Sequence, residues 1–155
     1  MKFRDFAQLV RPEAPGAPDF LIERSVRDTA IDFCRRTGVY IPEPESVTVI
    51  KGINEYEVSM PTGTELNYIT DIFADQVKLQ PVSFNLLLEK LGDEDDQGTP
   101  RFYAQRDNTS FFVAPIPNAA DSFRVLYSVK PTSTSSSLPD GIAKEHQETI
   151  VQGTL

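Results

Sequence analysis

The sequence predicts an α+β fold from three observations. Apolar residues recur at helical spacing near both ends of the chain, short alternating apolar runs fill the middle, and prolines or glycines stand at nearly every boundary between them. The predicted plan has N-terminal helices, an antiparallel β domain with a short inserted helix, and a C-terminal helix on a flexible linker. At 155 residues the chain is expected to be one domain, 1–155, with a helical part at 1–40 and 138–155 and a β part at 45–131. A chain of this length buries about 68–70% of its unfolded surface, so a core forms without disulfide or metal.

Each element has its own signal. Phe3, Phe6, Ala7 and Val10 predict a short amphipathic helix, which the proline-rich stretch RPEAPGAP (11–18) ends. Asp19 is read as an N-cap, and Ile22, Val26, Ala30, Phe33 and Thr37 follow at steps of three and four to a stop at Gly38. Large apolar members of such a stripe each contribute about 1.5–3 kcal/mol when buried, so this helix belongs to the core. Three strand pairs follow: SVTVI (46–50) with YEVSM (56–60), LNYITDIF (66–73) with VKLQP (77–81), and RFYAQR (101–106) with TSFFVA (109–114).

The stretch 111–131 reads as a proline-bracketed hairpin. Its second strand, FRVLYSV (123–129), places Phe123, Val125, Tyr127 and Val129 on one face. Prolines 115, 117 and 131 end the strands because proline donates nothing to a ladder. SFNLLLEKL (83–91) is a short helix with Ser83 as its cap, and GDEDDQG (92–98) is an acidic loop. TSTSSS (132–137) reads as a flexible linker to a last helix, on which Ile142, His146, Ile150 and Gly153 share a face. The first and last helices either leave the domain to dock in a partner's groove or pack back on it.

Composition bounds the function. The net charge is −8; residues 1–37 carry 7 Lys/Arg against 6 Asp/Glu, and residues 38–155 carry 8 against 17. The acidic surplus therefore lies in the strand-rich part, which favours solubility and repels nucleic acid. Aromatic residues on strands (Phe102, Tyr103, Phe111, Phe112, Tyr127) lack the basic groove of a stacking platform and read as core or subunit contacts. The start of the chain has no apolar stretch of the signal-peptide kind and no run reaches membrane-spanning length, so synthesis and folding in a cytoplasm are expected.

Few residues invite chemistry. Cys34 and His146 are the single cysteine and histidine, one on a core-type helix and one on a polar helix, with no spacing that makes them a pair. Asp93, Glu94, Asp95 and Asp96 lack the alternating ligand spacing of a calcium loop. Asp71 and Asp75 have no substrate pocket built around them, and no phosphate-binding loop, dinucleotide fingerprint or zinc-protease motif is present. No catalytic residue, metal or cofactor is expected.

The order of features resembles the head–tail adaptor (neck) proteins of short-tailed bacteriophages, akin to the tail tubular protein A type. The matching pieces are FRDFAQLVRPEAPGAP, LIERSVRDTAIDFCRRTGVY, VTVIKGINEYEVSMPTGTEL, TPRFYAQRDNTSFFVAPIP, RVLYSVKP and LPDGIAKEHQETIVQGTL, which in order cover nearly the whole chain. The resemblance implies a structural virion protein: a ring of about twelve copies beneath the portal that extends the DNA channel and offers the tail a platform. It implies portal contacts from the helical part, with Asp140, Ile142, His146 and Ile150 as interface residues. Ring contacts and contacts with tail nozzle, tail tube or fibre proteins fall to the β part. DNA would pass without specific binding, and Asp93, Glu94, Asp95 and Asp96 would face the channel as a repelling loop. Proline-blunted strand ends suit side-by-side packing in a closed ring. The location implied is the virion neck, assembled in the host cytoplasm, with no membrane involved. In such adaptors the last helix usually continues further, so a chain stopping at Leu155 is expected to be short or truncated. The rival readings are another neck or tail-tube component, a glycan-binding β module and, with least support, an enzyme.

Overall fold

The fold comes from a computed structural model, which describes residues 1–91, 97–107 and 109–155. It is α+β as expected: N-terminal helices, mainly antiparallel sheets, a short inserted helix and C-terminal helices. The chain divides into two compact units, one of residues 1–40, 61–65 and 129–155, the other of residues 41–60 and 66–128.

The first unit is built on one long helix. The predicted N-terminal helix is shorter and tighter than its spacing suggests: a 3-10 turn at Phe3–Phe6, a single α turn α1 (Ala7–Val10), then a second 3-10 turn at Arg11–Glu13. Helix α2 (Asp19–Thr37) follows. Pro18, not Asp19, occupies its N-cap position; Asp19 lies in the first turn, where a carboxylate complements the helix dipole, and pairs with Arg11. Gly38 ends the helix with φ 65°, donating its N–H to the Cys34 carbonyl at 3.0 Å. The buried stripe is Ile22, Val26, Ala30 and Cys34, a single ridge at steps of four, so Cys34 takes the place predicted for Phe33 and Thr37. Phe33 is half-buried and Thr37 is exposed.

Both end segments pack back onto α2. Phe3, Phe6 and Val10 join its stripe in one core cluster, together with Leu138, Ala143 and Ile150. The predicted terminal helix is two: α4 (Asp140–Glu145) and α5 (Gln147–Thr154), broken at His146. Alpha-5 runs opposite to α2, with the His146 ring 4.9 Å from that of Phe33 and Gly153 against Thr29. The reading in which these segments leave the domain as arms is thereby corrected, because their apolar faces are spent on the unit's own core.

The stretch 132–137 is pinned rather than free. Arg27 Nε donates to the Ser135 carbonyl at 2.6 Å, the Phe3 N–H to the Ser136 carbonyl at 2.9 Å, and the Leu138 N–H to the Met1 carbonyl at 2.9 Å. Its backbone groups find partners that a hydroxyl-rich composition does not disclose.

The second unit holds the sheets. Strands β1 (Glu45–Val49), β2 (Glu55–Glu57), β3 (Thr64–Ala74), β4 (Val77–Lys78) and β5 (Gln80–Pro81) precede helix α3 (Phe84–Leu91). After it come β6 (Gln97–Gly98), β7 (Phe102–Gln105), β8 (Ser110–Ala114), β9 (Ile116–Pro117) and β10 (Asp121–Pro131). One sheet has the order β1-β10-β3-β4 and another β2-β8-β7-β5; β6 and β9 form a short parallel pair. The first residues of β3 and the last of β10 belong to the first unit.

Two predicted pairings hold: β3 with β4, through a turn in which Asp75 and Gln76 have φ 48° and 67°, and β7 with β8. Two do not. SVTVI and YEVSM do not pair with each other: β1 pairs with β10, and β2 pairs with β8. The proline-bracketed hairpin is likewise absent, since β8 and β10 lie in different sheets. With no N–H at Pro115 or Pro117 the ladder cannot continue, and the chain crosses from one sheet to the other.

The strand faces fix the core. Phe123, Val125, Tyr127 and Val129 are all buried, as the alternation predicts. Tyr56 meets Phe123 of the other sheet edge-on at 5.4 Å and stacks at 5.9 Å on Phe111, its cross-strand partner. The Tyr56 hydroxyl donates to the Ile53 carbonyl at 2.5 Å, which pins the β1–β2 connection. On the other face of the β7–β8 pair, Ala104 stands opposite Phe112 and Ala114 opposite Phe102. These small residues leave room for α3, whose Leu87 is fully buried against them. Ser83 Oγ accepts from the Leu86 N–H at 3.2 Å, the predicted cap of α3.

Candidate functional site

The four residues singled out on the C-terminal segment fall into different environments. Asp140 is exposed at the first turn of α4, and the amino group of Met1 donates to its Oδ1 at 2.5 Å. That hydrogen bond, reinforced by the positive charge, lowers the Asp140 pKa. Ile142 is half-buried against the core, and His146 is half-buried at the helix break, its ring on Phe33. Ile150 is fully buried. Of these four, Asp140 is exposed, Ile142 and His146 are half-buried against the unit's own core, and Ile150 is turned inward. The acidic run Asp93, Glu94, Asp95 and Asp96 lies outside the described residues.

Residues considered for chemistry have structural roles. Burial pushes the Cys34 thiol up to about 11, which suppresses the thiolate needed of a nucleophile. Asp71 pairs with Lys78 at 3.0 Å across the β3–β4 pair, while Asp75 supplies the left-handed turn between those strands. Tyr103, Phe111 and Tyr127 are core residues. Phe102 and Phe112 are half-buried beside α3, with Lys90 4.3 Å from the Phe102 ring centroid and Arg106 5.7 Å from that of Phe112. Among the described residues no group of His, Cys, Asp and Glu could hold a metal, and no helix is long and apolar enough to cross a membrane.

Sequence reasoning missed the outer face of α2. Phe20 is 69% exposed and Leu21 44% exposed, and Leu21 borders a groove of about 270 Å³ also lined by Val10, Ala14, Ala17 and Leu155. The available signal was position: Phe20 and Arg24 lie one turn apart, outside the Ile22–Cys34 stripe on the helical wheel.

What the molecule offers is therefore packed surface, without an assembled set of reacting groups among the described residues. No curated protein matches the chain. A family model, SU10 adaptor protein, matches residues 1–154. Because that match takes in nearly all of its length, the chain belongs to the SU10 adaptor protein family and is a structural, head–tail adaptor protein of a bacteriophage.

Proposed function

We propose that the chain acts as an adaptor of the tail tubular protein A type, forming a ring of about twelve copies beneath the portal, extending the DNA channel and carrying the tail. The observation that supports this most is the family match over residues 1–154, since adaptors interact with portal and tail proteins in the virion neck. The family is structural and not a class of enzymes.

In this reading the whole chain, 1–155, is one adaptor protomer. The segment of α4 and the helix break, Asp140, Ile142 and His146, faces the portal, with Ile150 holding that surface in place from the core. The β part meets neighbouring copies and the tail nozzle, tube or fibres. Asp93, Glu94, Asp95 and Asp96 face the channel, where like charge keeps passing DNA from adhering. Assembly takes place in the host cytoplasm.

Light scattering on a sizing column tests the reading, with the protein alone and then mixed with the portal protein of the same genome. A stable portal-sized complex carrying many copies of the chain is expected. A chain that stays a monomer and ignores the portal would overturn it and favour a ligand-binding β module.

A further inference from the structure

We infer that neighbouring copies meet through α2 of one and strand β2 of the next, with Phe20 and Arg24 seated against Glu55 and Glu57. This contact rests on the ring reading above and names its surfaces.

Charge separates by unit. The helical unit carries 9 Lys/Arg and 10 Asp/Glu, a net of −1, whereas the β unit carries 6 and 13, a net of −7. A contact of β unit on β unit would set −7 against −7, and like charges facing across an interface oppose association. The nearly neutral helical unit is the surface that a neighbour's β unit can approach. A contact between two different surfaces is also the kind that closes into a ring.

Within the helical unit, α2 supplies the anchor. Phe20 has the highest exposure of the large hydrophobic residues described. Arg24 follows one turn later on the same face. Arg27, Arg35 and Arg36 each bond a carboxylate of their own helix, Glu23 or Asp32, whereas Arg24 has no carboxylate within 4.0 Å among the described residues. Aromatic residues and arginine are both enriched at protein interfaces.

Within the β unit, β2 supplies the complement. It is an edge strand of its sheet, so one side of its backbone has no strand partner among the described residues. Glu55 and Glu57 project to the same side of it, both exposed, and neither is ion-paired among the described residues. Either carboxylate suits a guanidinium, which bonds both oxygens of one carboxylate at once.

Charge exchange between two variants tests the contact. Arg24→Glu places like charge against the neighbour's β2, and so does the double change Glu55→Lys with Glu57→Lys against α2. Each variant alone is expected to need on the order of 100-fold more protein to assemble on the portal, read by light scattering. An equimolar mixture should recover to within about threefold of wild type, because every junction in an alternating ring then joins opposite charges. Circular dichroism melts check each fold, and Arg24→Gln replaces Arg24→Glu if that variant melts early. Either variant assembling like wild type, or a mixture that stays apart, would overturn the contact while leaving the ring reading in place. A wild-type chain that never assembles would overturn both.

Discussion

Gly153 rests against Thr29: a Cβ at position 153 would stand 2.7 Å from the Thr29 Cγ2 atom. The two residues set how closely α5 lies along α2, and through α5 they hold Ile150 in the core. Gly153→Ala adds helix propensity of about 1 kcal/mol but forces the helices apart, at a cost of about 1–3 kcal/mol. We expect Gly153→Ala to lower the Tm and Thr29→Ser to restore it in the double variant, since serine removes the clashing methyl. Thermal melts of the four proteins of that cycle check this.

Ile150 and Ile142 should separate folding from docking. Ile150→Asp buries a carboxylate in an apolar site and should unfold the helical unit, with a loss of about 3 kcal/mol or more. Ile142→Asp, at a half-buried site, should leave a cooperative melt but weaken portal binding by at least about tenfold. Denaturant melts and portal binding on the same samples decide it. Normal portal binding by Ile142→Asp would remove α4 from the proposed interface.

How much of this was legible in the sequence follows from the range of the interactions involved. The first three residues of the α2 stripe (Ile22, Val26 and Ala30), its stop at Gly38, the Ser83 cap and the alternation from Phe123 to Val129 are local patterns, and each was readable within a few residues. The pairing of β1 with β10 and of β2 with β8 was not, because partners tens of residues apart leave no local trace. Proximity in the chain favoured the wrong hairpins. The pinning of 132–137 was hidden for the same reason: the groups that hold it come from Met1, Phe3 and Arg27. For the proposed docking residues, the helical face was visible as Ile142, His146 and Ile150, but the break at His146 and the inward turn of Ile150 were not.

Asp107 should give the β unit a sensitivity to acid. Its Oδ1 accepts from the Thr109 and Ser110 N–H groups, both at 2.9 Å, and from the two hydroxyls. These bonds, the backbone N–H of Thr109 first, depress its pKa to about 2. A depressed carboxylate stabilises the fold above its unfolded value of about 3.9, and that contribution disappears as pH falls through the folded value. We expect Asp107→Asn to melt below wild type at pH 6 and the two to converge as pH is lowered from about 4 to about 2. A constant gap across that range would contradict the assignment.

Replacing Asp93, Glu94, Asp95 and Asp96 with Asn and Gln should leave assembly on the portal unchanged and slow genome ejection, if like charge keeps the channel from holding DNA. Ejection kinetics from phage carrying the neutralised loop provide the check, and unchanged kinetics would remove that role.

Whether this chain forms the ring between portal and tail is decided by a cryo-electron microscopy reconstruction of the neck in purified virions. We expect a closed ring of about twelve copies of the chain, coaxial with the portal and around the DNA channel. Finding the chain elsewhere in the virion, or as isolated copies outside the neck, would contradict it.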